Sequence, residues 1–78
     1  MIDRIKHVLR DLPVDVYMTD TCPGSVLTVE SIDHDHARTA KRRLKDWSGV
    51  SAIETEKVAD GYGGWEHHFY IYIQRAQP

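Results

Sequence analysis

Residues 25–58 read SVLTVESIDHDHARTAKRRLKDWSGVSAIETEKV, and this stretch decides the fold of the 78-residue chain. It begins with an extended run, SVLTVESI, and ends with a second one, VSAIETEKV. The segment between them has helical periodicity and is about 14 residues, or roughly 21 Å, long at 1.5 Å per residue. A strand of six or seven residues has a similar length. The stretch therefore predicts a strand–helix–strand unit.

The predicted central helix has a clear start, an apolar stripe and a clear end. Asp33 is a favourable N-cap residue, because its carboxylate can accept hydrogen bonds from the first free backbone N–H groups. Gly49 can adopt the left-handed conformation that commonly follows a helix. These features predict a helix that starts after Asp33 and reaches the end of its apolar stripe. The stripe consists of Ala37, Ala40, Leu44 and Trp47.

Periodicity also predicts the elements on both sides of this unit. Residues 2–12 repeat apolar side chains at helical spacing before a proline, which would end a helix. Residues 14–19 and 65–74 alternate apolar and polar side chains, as strands packed on one side do. Turn-forming residues at 20–24 and 60–64 predict two β-hairpins.

The last predicted strand has the clearest alternation. We expect Phe69, Ile71 and Ile73 to be buried against the two helices, through Leu44 and Ile5. One parity of this strand, directed toward the helices, comprises Trp65, His67, Phe69, Ile71 and Ile73. The other comprises Glu66, His68, Tyr70, Tyr72 and Gln74.

The resulting element order is α-β-β-α-β-β, which places the chain in the α+β class. Two hairpins joined by a helical crossover can form a four-stranded antiparallel sheet with both helices on one face. The spatial order 1-2-4-3 is one arrangement that fits, although the sequence alone leaves the order open. The other face of the sheet would then be open.

Composition limits the class of protein. A chain of 78 residues is one domain, and 41% hydrophobic with 28% charged residues is typical of a globular protein. No stretch is apolar enough for a signal peptide or a membrane span, so we expect a cytoplasmic location and no membrane partner. The single cysteine, Cys22, cannot form an internal disulfide.

Charge is distributed unevenly along the chain. Residues 34–47 carry five basic and two acidic residues, a net charge of +3. Because the whole chain has a net charge of −2, the remainder carries −5. This balance argues against strong nonspecific attraction to nucleic acid and predicts a protein with two oppositely charged surfaces.

The first candidate site is the open face of the predicted sheet. Tyrosine combines a large apolar ring with a polar tip and is enriched at protein interfaces. The alternative is that these tyrosines only stabilise the sheet through cross-strand pairs. Four glutamates on the same face argue against RNA, which binds stacking rings in a positive field. We expect this face to display Tyr17, Thr28, Glu30, Glu54, Glu56, Glu66, His68, Tyr70 and Tyr72.

The second candidate site is a basic stripe on the central helix, formed by Arg38, Lys41, Arg42 and Lys45 with His34 beside it. Such a stripe could bind phosphates or an acidic protein. The alternative is an ordinary solvated surface. In that case, ion pairs of Arg42 with Asp46 and of Arg38 with Asp35 would neutralise part of the stripe.

The remaining reactive residues do not form a recognisable site. Histidines at 34, 36, 67 and 68 are good ligand types, but neighbours at these spacings point in different directions. Cys22 has no base near it in the sequence, and the glycines at 61–64 lack the lysine and helix of a phosphate-binding loop. We therefore predict no catalytic residue, no metal site and no cofactor.

The strand–helix–strand pattern resembles that of small phage or mobile-element inhibitors of the anti-CRISPR type. The resemblance covers roughly residues 27–56 and rests on Val29-Glu30-Ser31, Ala37, Ala40 and Ile53-Glu54. It implies stoichiometric binding to a host nuclease or surveillance complex. Acidic residues would then occupy a site for nucleic acid or for a partner.

The hypothesis from the sequence is therefore a small, non-catalytic protein-binding module whose partner is another protein, such as a host nucleic-acid-binding complex. Nucleic acid would bind weakly at most. One alternative is a nucleic-acid-binding accessory protein that uses the basic helix, and another is a homodimeric enzyme subunit with a histidine-based site. Whether the protein forms a homodimer stays open.

Overall fold

A computed structural model describes residues 2–20, 25–47 and 49–74. The predicted element order, α-β-β-α-β-β, is confirmed. The elements are α1 (Ile2–Val8), β1 (Asp15–Asp20), β2 (Ser25–Ser31), α2 (His34–Arg43), β3 (Glu54–Ala59) and β4 (Trp65–Ile73). The predicted turn before β2, including Cys22, lies mostly outside the described residues. No helix in the described ranges is long and apolar enough to cross a membrane.

The four strands form one antiparallel sheet in the order β1-β2-β4-β3. The fold class is therefore the predicted one, and the order is the one proposed as compatible with the sequence. β4 inserts between β2 and β3, which run in the same direction and are joined through α2. This connection is the helical crossover that the periodicity predicted.

The core lies between the helices and one face of the sheet. Each helical region contributes buried aliphatic side chains that pack on alternate residues of the two central strands. Burying such side chains is the main stabilising contribution in a domain of this size. The buried cluster contains Ile5, Leu9, Leu27, Val29, Ala40, Leu44, Ile71 and Ile73.

Both helices are shorter than predicted, and α2 shows why. Its N-cap is Asp33, as expected, but the helix ends at Arg43. The N–H of Leu44 is shared between the carbonyl oxygens of Ala40 and Lys41, each 3.1 Å away. The next bond, from Trp47 N–H to Leu44 O at 3.0 Å, spans three residues. The chain therefore tightens into turns before it reaches the end of the apolar stripe.

The third strand begins at Glu54, four residues later than predicted. Val50 forms an isolated bridge with Ile73, whereas Glu54 pairs with Tyr70. The chain thus advances four residues from Val50 to Glu54, while the partner strand advances only three, from Tyr70 to Ile73. The additional residue interrupts regular pairing, as in a β-bulge. Ser51 joins the two paired regions, because its N–H donates to Tyr72 O and its Oγ accepts from Tyr72 N–H.

Burial was predicted for Phe69, Ile71 and Ile73 of β4, and it holds for the last two. Ile71 and Ile73 are buried, but Phe69 is half-buried and lies outside the buried cluster. Trp65 is 66% exposed. The reason is that β2 ends at Ser31, opposite Phe69, so the first residues of β4 pair only with β3. We call residues 56–59 and 65–68 the hairpin extension.

The acidic and aromatic sheet face

Strand pairing brings the predicted sheet-face residues together on the side opposite the core. Residues directly opposed in an antiparallel ladder project to the same face. Tyr70 lies between Glu30 on one neighbouring strand and Glu54 on the other, and His68 lies opposite Glu56. We call this side the open face. Its predicted members are Tyr17, Thr28, Glu30, Glu54, Glu56, Glu66, His68, Tyr70 and Tyr72.

A chain of hydrogen bonds crosses three strands of the open face. The Tyr17 hydroxyl donates to Glu30 Oε1 at 2.6 Å. Glu30 Oε2 lies 3.1 Å from His68 Nδ1, and His68 Nε2 lies 3.1 Å from Glu66 Oε2. These four side chains therefore hold one another in place before any partner binds. Sequence parity placed them on one face, but it did not predict these bonds.

His68 is the centre of this chain. A neutral imidazole has one N–H and could satisfy only one of the two carboxylates, whereas the charged ring donates to both. The hydrogen bond with Glu66 raises the pKa of His68, and the bond with Glu30 adds to this effect against the opposing effect of burial. The side chain is 16% exposed. The geometry therefore favours an imidazolium held between two carboxylates.

An aromatic row runs along β4 beside these bonds. The rings of Tyr70 and Tyr72 are nearly parallel, with planes 8° apart and centroids separated by 6.3 Å. The His68 ring continues the row at 6.4 Å from Tyr70. Burial, followed by the nearby charges of Glu30 and Glu56, raises the pKa of the Tyr70 phenol. The phenol therefore stays neutral and presents a hydroxyl beside an apolar ring.

Tyr17 stays exposed on the open face, whereas Thr28 is already covered. Burial and the hydrogen bond to Glu30 raise the pKa of Tyr17. Thr28 was expected to be displayed, but it is buried, with its hydroxyl 2.9 Å from that of Thr19. It lies opposite Tyr17 and Tyr72, whose rings are much larger. Thr28 therefore lies beneath the neighbouring tyrosine rings and is not available for contact.

The open face is acidic. Glu54, Glu56 and Glu66 are exposed. Across residues 2–20, 25–47 and 49–74, carboxylates of this face form ion pairs only with His68. Asp15, which was not included in the predicted set, also lies here, because it pairs with Glu30. Its parity with Tyr17 was the signal that could have identified it.

A cavity of about 560 Å³ opens at the end of the aromatic row. Tyr72, Thr19 and Val26 line it from the sheet, while Val50 and Ser51 line it from the segment before β3. These are mostly apolar or hydroxyl-bearing groups. The cavity is therefore large enough for an apolar side chain next to the stacked tyrosines.

The basic stripe lies on α2 and the turn after it, away from the open face. Neither predicted ion pair, Arg42 with Asp46 or Arg38 with Asp35, is present among the salt bridges of the described ranges. The neighbouring Arg43 was not predicted to have a role. It donates to both carboxylate oxygens of Asp11 and to the Val8 carbonyl oxygen. The stripe residues, Arg38, Lys41, Arg42 and Lys45, form no salt bridge in the part of the chain that the structure describes.

The histidines are dispersed, as their spacing predicted. His67 and His68 point to opposite faces, and His34 packs edge-on against Phe69 with centroids 5.0 Å apart. Within the described ranges, no group of three or more His, Cys, Asp or Glu side chains is arranged to hold a metal ion. In the hairpin turn, Asp60 Oδ1 accepts from the N–H groups of Tyr62 and Gly64.

Comparisons with family models, curated proteins and solved structures each find no match. Any functional conclusion therefore rests on the geometry of this chain. The resemblance to small phage inhibitors stays a hypothesis.

Proposed function

We propose that this protein is a non-catalytic binding module that uses the open face to dock on a basic surface of another protein. One observation carries the proposal: the chain Tyr17–Glu30–His68–Glu66 lies beside the stacked rings of Tyr70 and Tyr72. Tyrosine is enriched at protein interfaces and among the residues that contribute most of the binding energy.

Preorganisation supports this use of the face. A side chain that is ordered on binding costs about 0.5–1.5 kcal/mol of conformational entropy. Here Tyr70 and Tyr72 are already stacked, and Glu30 already accepts hydrogen bonds from two directions. Binding would therefore lose less free energy to side-chain ordering than it would on a surface of mobile side chains.

The charge of the face indicates the kind of partner. Exposed carboxylates such as Glu54, Glu56 and Glu66 would attract a surface rich in lysine and arginine and would increase the association rate. Proteins that hold nucleic acid have such surfaces. A host nuclease or surveillance complex, the partner class implied by the resemblance, belongs to this group.

The size of the molecule is sufficient for such an interface. Its principal extents are 46 × 30 × 19 Å, so the two-layer domain is broad and thin. A standard stable interface buries about 800 Å² on each partner. The broad side of this domain can supply that area, with Tyr70 and Tyr72 near its centre and the carboxylates around them.

The test is the double substitution Tyr70→Ser/Tyr72→Ser. We expect it to abolish capture of a partner from a lysate of the source organism, because truncating an anchor residue commonly costs about 2 kcal/mol or more. The matched control is Tyr62→Ser, which removes an exposed tyrosine from the hairpin turn, away from the open face. Circular dichroism of both variants verifies the fold.

The partner found with the wild type must then be bound in a purified reconstitution. Loss of binding by the double variant, with retention by Tyr62→Ser, supports docking through the open face. Unchanged binding by a folded double variant would refute that assignment. Turnover of a small molecule by the wild type would refute the non-catalytic interpretation.

A further inference from the structure

The hairpin extension leaves a second surface uncovered, on the helix side of the sheet and independent of the open face. Trp65 is 66% exposed there. Lys57 and His67 lie opposite each other on the same side and are both exposed. The exposed ring of Trp65 beside the ammonium group of Lys57 offers a stacking surface next to a positive charge.

The basic stripe begins beside this uncovered region and runs away from it along α2, toward the end of the sheet where Val50 pairs with Ile73. Arg43 bonds to Asp11 and Val8, so its flank of α2 is directed toward α1. The flank that carries His34 is directed instead toward β4, since the His34 ring contacts Phe69. Residues four and seven positions after His34 share its flank of a helix. These are Arg38 and Lys41, with Arg42 adjacent and Lys45 in the turn that follows.

The two features meet end to end at the contact between His34 and Phe69, and together they form a surface with an excess of basic residues. Its residues are Arg38, Lys41, Arg42 and Lys45 from the α2 region and Lys57, Trp65 and His67 from the hairpin extension. We call this set the basic-aromatic surface. Two acids, Asp33 and Asp35, lie in the first turn of α2 near this junction, and the Asp33 carboxylate accepts from the N–H groups of Asp35 and His36 as the N-cap.

We propose that the basic-aromatic surface binds single-stranded nucleic acid, with phosphates on the α2 cations and a base stacked on Trp65. Cationic grooves combined with exposed aromatic rings are the usual arrangement for this ligand class. A duplex offers no unstacked base to a protruding ring. An acidic peptide could form ion pairs with the cations, but its acidic side chains have no ring that stacks on Trp65.

The dimensions agree with an extended strand. The α2 region from His34 to Lys45 is roughly 16 Å long at 1.5 Å per residue. From Phe69 to Trp65, β4 adds roughly 13 Å at 3.3 Å per residue. A path of this length accommodates several nucleotides. The acidic open face does not compete, because it lies on the other side of the sheet.

The net charge of −2 sets the expected strength of binding. Affinity should be moderate and should depend strongly on salt. Four phosphate contacts to a single strand give a slope of about −3 in log K against log salt. We therefore expect about a 50-fold loss of affinity between 50 and 200 mM salt.

The experiment measures fluorescence anisotropy of labelled oligo(dT) and oligo(U) of about 15 nucleotides, the upper range of single-domain site sizes. At low salt we expect Trp65→Ala to weaken binding by at least about 10-fold, whereas Trp65→Phe keeps most of the affinity because it retains a stacking ring. The double reversal Arg38→Glu/Arg42→Glu should abolish binding. The matched control, Lys6→Glu/Arg10→Glu on and just after α1, should change it by less than about threefold.

Circular dichroism confirms the fold of each variant. Binding by the Trp65→Ala variant equal to that of the wild type would overturn the proposal. So would equal loss in the two charge-reversal variants, or equal affinity for a duplex of the same length. Binding of polyglutamate without binding of either oligonucleotide would assign the surface to an acidic protein instead.

Discussion

Glu30 and His68 are 38 residues apart in the sequence, yet Glu30 Oε2 lies 3.1 Å from His68 Nδ1. Pairing of β2 with β4 sets Glu30 opposite Tyr70 and therefore diagonal to His68. The contact exists only when these strands are paired. It thus couples the folding of the sheet to the protonation of one imidazole.

The first prediction concerns the pH dependence of stability. The pKa of His68 is raised above its usual value of 6.5 in the folded state. Its stabilising effect is therefore complete below pH 6.5 and is lost as pH rises through the folded pKa. We expect His68→Gln to reduce the urea midpoint more at about pH 5.5 than at about pH 8.5. His67→Gln, a change in the neighbouring residue on the opposite face, is the control. A midpoint difference for His68→Gln that does not change with pH would contradict this prediction.

The second prediction compares two residues of β4. Ile71 is buried in the core cluster, so Ile71→Ala should reduce the free energy of unfolding by about 2–5 kcal/mol. Phe69 is half-buried, and Phe69→Ala should cost about 1–2 kcal/mol. Full burial, as predicted from alternation alone, would correspond to about 3–5 kcal/mol. Denaturant unfolding of both variants shows whether Phe69→Ala costs about 1–2 kcal/mol, as for a half-buried ring, or about 3–5 kcal/mol, as for a buried one.

The third prediction concerns the start of α2. Asp33 Oδ1 accepts from the N–H groups of Asp35 and His36 at 2.8 and 3.1 Å. Asp33→Ala should therefore destabilise the protein by about 1 kcal/mol, whereas Asp33→Asn should cost much less because asparagine is an equally good N-cap. Thermal unfolding of both variants is the measurement. Equal losses would show that the charge, not the hydrogen bonds, stabilises this end.

The fourth prediction concerns acid stability. The hydrogen bonds from Arg43 lower the pKa of Asp11 to about 2. This stabilising effect is present above the usual pKa of 3.8 and is lost as pH falls toward 2. We expect the Arg43→Gln variant to have a lower free energy of unfolding than the wild type above pH 3.8. We expect this difference to become smaller as pH falls through that range. Arg42→Gln, a change in the adjacent residue of the basic stripe, should show no such pH dependence.

Much of the fold could be predicted because it depends on local periodicity. Alternation with a period of two assigned Tyr70 and Tyr72 to one face and Ile71 and Ile73 to the other, and the strand register agrees. The N-cap at Asp33 was equally local. Element lengths were less accurate, since the end of α2 depends on how Leu44 enters the core and the start of β3 depends on the bulge before Glu54.

The sequence by itself determined the order of the elements, the parity of each strand and the uneven charge, since these follow from side chains close together in the chain. Only the tertiary structure decided that His68 lies between Glu30 and Glu66 and that Trp65 stays exposed. The first depends on the register between β2 and β4, and the second on β2 ending at Ser31. Both are relations between residues distant in the chain, and the period of a single strand carries no information about where its neighbour ends.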